Sequence, residues 1–181
     1  MGTGIFLKNT GQSVRLFAQT ASSSPVGGAI ISGSLLGSGV GTLTVPANTF
    51  QVGDSFKLTM GGHLDALNGK KLQISVLTTG VPLATTGQIT MPNCTSQHWN
   101  LEVTFTIRAI GAAGVAAVVS NGYLLFTKNA ATSFEGENFS LVESTSFNTT
   151  INNTLEIKAE WDTTDVGNSI YSETGVLTRI Y

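Results

Sequence analysis

The sequence predicts an all-β protein: an antiparallel β-sandwich of about eight to ten strands with the topology of a single jelly roll. Apolar and polar residues alternate over short segments, and turn residues separate these segments at intervals of roughly ten residues. Charged residues make up only 11% of the chain, so Thr, Ser and Asn fill most polar positions, as is typical of strands and turns. The pattern leaves the pairing order open, so other Greek key sandwiches remain alternatives to the jelly roll.

The first 28 residues are predicted to form an N-terminal arm or a pair of edge strands. Two short strand-like pieces, "GIFLKN" and "SVRLFAQ", precede the linker-like segment "TASSSPVGG". Residues 29–181 then form the sandwich domain. The apolar residues of the arm either dock on a neighbouring subunit or complete the chain's own sheet, and the pattern favours neither.

The stretch "GTLTVPANTFQVGDSFKLTMGG" (41–62) contains two predicted strands. Pro46 ends the first, because proline cannot donate to a strand ladder. A turn at Val52-Gly53-Asp54 follows, and then Phe56, Leu58 and Met60 alternate with polar residues.

Further strands follow with turn signals between them. Asn68-Gly69 predicts a hairpin that joins "SFKLTMGGHLDAL" to "KKLQISVLTTG", since both central residues of a type I′ turn need positive φ. A second pair is "HWNLEVTFTIRAI" with "GVAAVVSNGYLLFTK", and the last third contains "NFSLVESTSF", "NTLEIKAEWD" and "GVLTRIY".

The charge distribution argues against a nucleic-acid-binding protein. The net charge is −2, so there is no general basic field. Residues 1–134 contain seven of the nine Lys and Arg but three acids, whereas residues 135–181 contain eight acids and two bases. This segregation suits head-to-tail contacts in a ring, and a solvated scatter of charges is the alternative.

Cys94 is the only cysteine, which excludes an intrachain disulfide and a thiolate zinc site and favours assembly in a reducing compartment. The N-terminus has no apolar run that would predict a signal peptide. No stretch reaches the roughly 18 apolar residues of a membrane-spanning helix.

The candidate chemistry is sparse. The two histidines, His63 and His98, are predicted at strand ends, and no nucleophile motif accompanies them. Cys94, in "MPNCTSQ", is predicted to lie in a turn with no basic neighbour that would lower its thiol pKa.

The densest acidic group is Glu160, Asp162 and Asp165 in "KAEWDTTDVGN", with Trp161 between the first two. Such a group suggests either a glycosidase carboxylate pair with an aromatic sugar platform or a Ca²⁺ loop. The spacing of a calcium loop is missing, and carboxylates on either side of a buried strand residue are normally solvated.

"GSLLGSGVG" has neither the lysine nor the helix of a phosphate-binding loop. The sequence therefore predicts no catalytic, cofactor-binding or metal-ligating residue and no enzyme activity. Four N-x-[ST] sequons, at Asn93, Asn138, Asn148 and Asn152, are interpreted as markers of surface loops.

The order of strands over about residues 35–128 resembles that of single jelly-roll virion structural proteins, such as penton and minor capsid proteins of large icosahedral DNA viruses, and β-sandwich heads of phage fibres. The similar segments are the 41–62 stretch, "KLQISVLTTGVPLATTG" and "HWNLEVTFTIRAIGAAGVAAVVSNGYLLF". The resemblance implies a homo-oligomeric capsid subunit, with a pentamer favoured over a trimer, that contacts neighbouring capsid proteins in a virion assembled in the host cytoplasm. It carries no catalytic residues over. The alternative is a trimeric C1q- or TNF-like fibre head that binds a receptor or glycan.

Overall fold

The computed structural model describes residues 13–129, 134–141 and 143–180, which form fifteen strands and no helix. The strands are β1 (Val14–Gln19), β2 (Val26–Gly28), β3 (Ser32–Ser34), β4 (Gly39–Gly41), β5 (Thr44–Val45), β6 (Ser55–Ala66), β7 (Lys71–Thr78), β8 (Val81–Thr85), β9 (Ile89–Thr90), β10 (Cys94–Ile110), β11 (Val115–Thr127), β12 (Phe134–Leu141), β13 (Glu143–Asn148), β14 (Asn153–Trp161) and β15 (Asp165–Arg179). Nine of them have six or more residues, and six shorter strands take the total above the eight to ten that were predicted.

All strand pairs are antiparallel, and they build two packed sheets. The front sheet has the order β12–β11–β10–β6–β15–β1–β4, and the back sheet has the order β3–β14–β7–β8. The prediction of an all-β antiparallel sandwich is confirmed. The jelly-roll topology stays a prediction.

The core consists of the apolar residues that alternate along the long strands. On β10, Trp99, Leu101, Val103, Phe105 and Ile107 are buried. Equivalent sets are buried on the back sheet: Leu72, Ile74 and Val76 on β7, and Leu155, Ile157, Ala159 and Trp161 on β14. These faces are the ones that the alternation predicts, because successive side chains of a strand point to opposite sides of the sheet.

The predicted hairpin at Asn68-Gly69 is wrong. β6 pairs with β10 and β15 in the front sheet, whereas β7 pairs with β8, β9 and β14 in the back sheet. The turn therefore carries the chain from one sheet to the other. The two-residue hairpin lies one strand later, at Thr79-Gly80, where both φ angles are positive (45° and 82°) as a type I′ turn requires.

The sandwich is closed along both sides by segments that belong to both sheets. On one side, residues 26–41, here called the closing segment, place β2 on β15 in the front sheet, β3 on β14 in the back sheet, and β4 on β1 in the front sheet again. On the other side, β12 pairs with β11 and then, through Ser140 and Leu141, with β8. The described strands thus form a continuous path from β3 to β4.

The described part of the predicted N-terminal arm lies within the front sheet. β1 pairs with β15 on one side and β4 on the other, and Phe17 is buried. The prediction for residues 1–12 falls outside the described residues, and the boundary at residue 28 stays a prediction.

Strands β6 and β15 lie close together at Gly62, which is opposite Ser172. The indole Nε1 of Trp99 donates to the carbonyl oxygens of His63 and Tyr171, 3.1 Å from each. A Cβ at position 62 would lie 2.1 Å from the Tyr171 carbonyl oxygen, so only glycine fits there. At the adjacent Gly61 the nearest atoms to such a Cβ are 3.1 Å away or more.

We expect Gly62→Ala to lower the free energy of unfolding by about 2–3 kcal/mol, because the backbone of β15 must move to admit the methyl group. Gly61→Ala is the matched control and should change it by less than about 1 kcal/mol. Urea denaturation of both variants measures the difference. Equal losses would contradict the close approach at Gly62.

Candidate functional site

The structure brings the two histidines together on the outer face of the front sheet. His98 on β10 is opposite His63 on β6, which is opposite Tyr171 on β15. The imidazole centroids are 4.5 Å apart, and the His63 ring stacks on the Tyr171 ring with centroids 5.3 Å apart. Three neighbouring strands therefore carry a continuous row of aromatic rings.

A carboxylate completes this group. The register of β15 against β6 shifts between Ser172 and Thr174, so Glu173 is the extra residue of a β-bulge. Its Oε2 lies 3.2 Å from Nε2 of His63, and its side chain is 45% exposed. The bulge leaves both Glu173 and Thr174 exposed on the outer face, with the Glu173 carboxylate beside His63.

Beside the ring row lies a depression of about 300 Å³. Its lining comprises Gly61, Gly62, His98, Trp99, Asn100, Glu173 and Thr174. Asn100 and Thr174 are both opposite Gly61 in the strand register, so their side chains flank a position that has no side chain. The depression is therefore polar at its walls and consists of bare backbone at its floor.

The sequence singled out His63 and His98 separately but did not associate them with each other, or with Tyr171 or Glu173. Residues 63, 98 and 171 become neighbours only through strand pairing, which local pattern does not encode. The Gly61-Gly62 pair inside a strand was the available signal, since mid-strand glycine often marks a bulge or a close approach.

The group lacks the partner that nucleophilic catalysis needs. In the described part of the chain, neither histidine side chain is hydrogen-bonded to a serine, threonine or cysteine. Cys94 begins β10 instead of lying in a turn as predicted, and its side chain is buried. Burial, together with the charges of Glu135 and Asp65, raises the pKa of its thiol to about 11, so the reactive thiolate is scarce at neutral pH.

The acidic residues of the "KAEWDTTDVGN" segment do not form a shared site. Glu160 faces solvent and pairs with Lys158 at 3.4 Å, and Asp162 accepts a hydrogen bond from the Lys71 amide at 3.0 Å. Trp161 is buried, and its Nε1 donates to the Val26 carbonyl oxygen at 3.0 Å. The suggested sugar platform at Trp161 is therefore wrong: the indole anchors the closing segment.

Asp165 is held in its ionised form. The backbone amide of Gly167 donates to it at 3.0 Å, Lys70 lies 3.1 Å away, and together they lower the pKa of the carboxyl group below its ordinary value. Within the described ranges, no three His, Cys, Asp or Glu side chains are placed to hold a metal ion.

The sequons were predicted to mark surface loops, and this is wrong for Asn138, which lies within β12, and for Asn148, which is the last residue of β13. The side chains of Asn93, Asn138 and Asn152 are exposed, and Asn148 is half-buried at the end of β13. The Asn148 Oδ1 accepts hydrogen bonds from the amide and hydroxyl of Thr150, and the Asn152 Oδ1 accepts one from the Ala47 amide. These two asparagines therefore organise the β13–β14 loop.

No family model matches the chain, and no curated protein matches it. Among solved structures, the alginate lyase from Klebsiella pneumoniae is similar at a TM-score of 0.23 with 7% sequence identity, over 71% of this chain and 58% of that chain. At this TM-score the likeness supports no statement about fold or activity. None of the described residues belongs to a helix that is long and apolar enough to span a membrane.

We expect Asp165→Asn to reduce the acid sensitivity of the fold. Because the pKa of Asp165 is lowered in the folded state, its ionised form stabilises the fold at pH above about 4, and this contribution disappears as the pH falls through the lowered value. Denaturation curves between pH 7 and pH 2 should show a smaller acid-induced loss in the variant than in the wild type.

Lys70→Met provides the matched control. The hydrogen bond from the Gly167 amide is the largest single cause of the lowered pKa and remains in this variant, which should therefore retain part of the acid-dependent contribution. Identical pH profiles for wild type and Asp165→Asn would contradict the assignment.

Proposed function

We propose that the protein is a structural subunit of a virion, a vertex subunit that assembles into a closed ring in an icosahedral capsid. One observation supports this proposal above the others: of the twelve exposed large apolar side chains in the described part of the chain, ten lie at the two opposite ends of the sandwich. The loops at the Ala66 end of β6 carry one group, and the loops at the Ser55 end carry the other.

Five exposed apolar side chains lie at the Ala66 end: Ile30, Ile31, Leu67, Phe134 and Val166. Five more lie at the Ser55 end: Val14, Val52, Val115, Ile151 and Ile180. Val166 is 97% exposed, and Val52 is 62% exposed. Single apolar residues on a surface are ordinary, but groups on opposite ends suit a subunit whose two ends are buried by neighbours.

Two different apolar ends on one chain favour head-to-tail contacts. In such a heterologous contact, the Ala66 end of one copy packs on the Ser55 end of the next, and the ring closes when the rotation between copies allows it. In a closed ring of this kind, the apolar groups at both ends of every copy are buried by its two neighbours.

The charges favour apolar contacts over ionic ones. Bases from the first part of the chain are paired with acids of the last part inside one subunit: Lys70 with Asp165, and Lys128 with Glu135. The segregation that the sequence shows is therefore partly neutralised by folding, and apolar burial supplies the association energy.

We expect Val52→Asp and Val166→Asp each to weaken self-association at least about tenfold, since each places a carboxylate in an apolar contact. Val40→Asp is the matched control, because Val40 is as exposed as Val52 (62%) but lies on β4 at the side of the sandwich. Sedimentation velocity over a range of concentrations measures the change. A wild-type protein that stays monomeric at all concentrations would overturn the proposal.

Mixing the two variants distinguishes contact types. In a head-to-tail ring, the Val52→Asp variant retains a functional Ala66 end, and the Val166→Asp variant retains a functional Ser55 end. Each variant alone is therefore monomeric, whereas a mixture of the two forms heterodimers. If like ends met instead, each variant alone would dimerise. Cryo-EM of the wild-type ring gives its symmetry: five copies support the vertex subunit, and three support the fibre-head alternative.

A further inference from the structure

We propose that the depression beside the His63–His98 pair binds one sugar ring of a carbohydrate. This goes beyond the proposed function and does not rest on it, because the depression lies on the outer face of the front sheet and away from both apolar ends. Four features of the described residues support it: the glycine floor, the free polar groups on its walls, the ring row at its border and its charge.

The glycine at position 61 is the first feature. Gly62 is required by the close approach of β15, whereas a Cβ at position 61 would meet no atom closer than 3.1 Å. The φ of Gly61 is not positive, and the nearest atoms to such a Cβ are the Asn100 Oδ1 at 3.1 Å, the Trp99 carbonyl oxygen at 3.2 Å and the Thr174 Oγ1 at 3.6 Å. An alanine methyl group would lie against these oxygens, so glycine keeps the floor open.

The polar walls are the second feature. In the described part of the chain, the side chains of Asn100, Thr174 and His98 make no hydrogen bond, and the Glu173 carboxylate is paired only with His63. An amide, a hydroxyl, an imidazole and a carboxylate thus converge on one glycine floor with most of their bonding capacity unused. Together they offer both donors and acceptors, as the hydroxyl groups of a sugar require.

The ring row and the charge narrow the class of ligand. The His98 ring lines the depression, where it can pack against the C–H face of a sugar, and the stacked rings of His63 and Tyr171 continue the row beyond it. Glu173 disfavours an anionic ligand, and an apolar ligand would leave the Glu173 carboxylate and Asn100 amide without partners. A simple cation would bind the Glu173 carboxylate but would neither pack against the rings nor fill the depression.

The size of the depression fits a single ring. Its volume of about 300 Å³ is at the lower limit for small-molecule sites. Such a shallow site buries little of its ligand, so we expect a dissociation constant for a monosaccharide of the order of millimolar.

The experiment is a titration of the full chain, labelled with ¹⁵N, with the methyl glycosides of glucose, galactose, mannose and N-acetylglucosamine up to 50 mM. At least one glycoside should cause saturable shifts of the Gly61, Asn100 and Thr174 amide signals in the ¹H–¹⁵N spectrum. Sorbitol at the same concentrations is the control for a general effect of polyols and should cause no saturable shift.

Three variants test the walls and the floor: Thr174→Val, Glu173→Gln and Gly61→Ala. Each should weaken binding at least tenfold. Thr59→Val is the matched control for Thr174→Val, because Thr59 is exposed on the same face of β6 but does not line the depression, and it should leave binding unchanged. The same spectra report whether each variant is folded.

The proposal is overturned by any of three results. These are the absence of saturable shifts with all four glycosides, equal shifts with sorbitol, and unchanged affinity in folded Thr174→Val and Glu173→Gln. Because the readout follows local amide signals, it is independent of whether the protein is a monomer or a ring, and the two proposals can fail separately.

Discussion

The structure depends most on the closure of the sandwich by residues 26–41. Leu35, between β3 and β4, is fully buried, its amide donates to the Ile157 carbonyl of the back sheet, and its own carbonyl accepts the hydroxyl of Ser172 from the front sheet. Trp161 adds the hydrogen bond from its indole to Val26. One short segment thereby ties both sheets together and provides the terminal strand of each.

This closure decides which surfaces are left for other molecules. An open sandwich presents long edges of unpaired amide and carbonyl groups, which are templates for strand addition. Here the terminal strands β3 and β4 have three residues each, and β12 joins the sheets on the opposite side. Contacts with neighbours are therefore left to side chains on the sheet faces and at the two ends, where the exposed apolar groups lie.

The sequence predicted the features that depend only on residues close together in the chain. The buried sets on β10, β7 and β14 follow directly from alternation, and Pro46 ends β5 as expected. The prediction of a hairpin at Asn68-Gly69 was wrong because a tight-turn sequence indicates only that the chain reverses direction. It does not indicate that the two flanking strands pair with each other. The alternation placed Trp161 in the core but could not identify its hydrogen-bond partner, because Val26 is far away in sequence.

The candidate site shows the same limit. Each of His63, His98, Tyr171 and Glu173 is unremarkable in its own segment, and the group exists only because β6 lies between β10 and β15. The bulge at Glu173, whose carboxylate lies beside His63, depends on the register of β15 against β6, which sequence alternation does not specify. The most informative local sign was the pair of glycines in the middle of β6.

Hydrogen–deuterium exchange of the wild-type chain at low and high protein concentration tests most directly the central claim that the two ends of the sandwich are its contact surfaces. The account predicts that amides at both ends become protected as the protein concentration rises. At the Ala66 end these are the amides around residues 28–31 and 163–167, and at the Ser55 end those around residues 51–54 and 149–152. The amides of β6, β10 and β14 should exchange at unchanged rates. Protection in those strands instead of at the ends, or no concentration dependence anywhere, would contradict it.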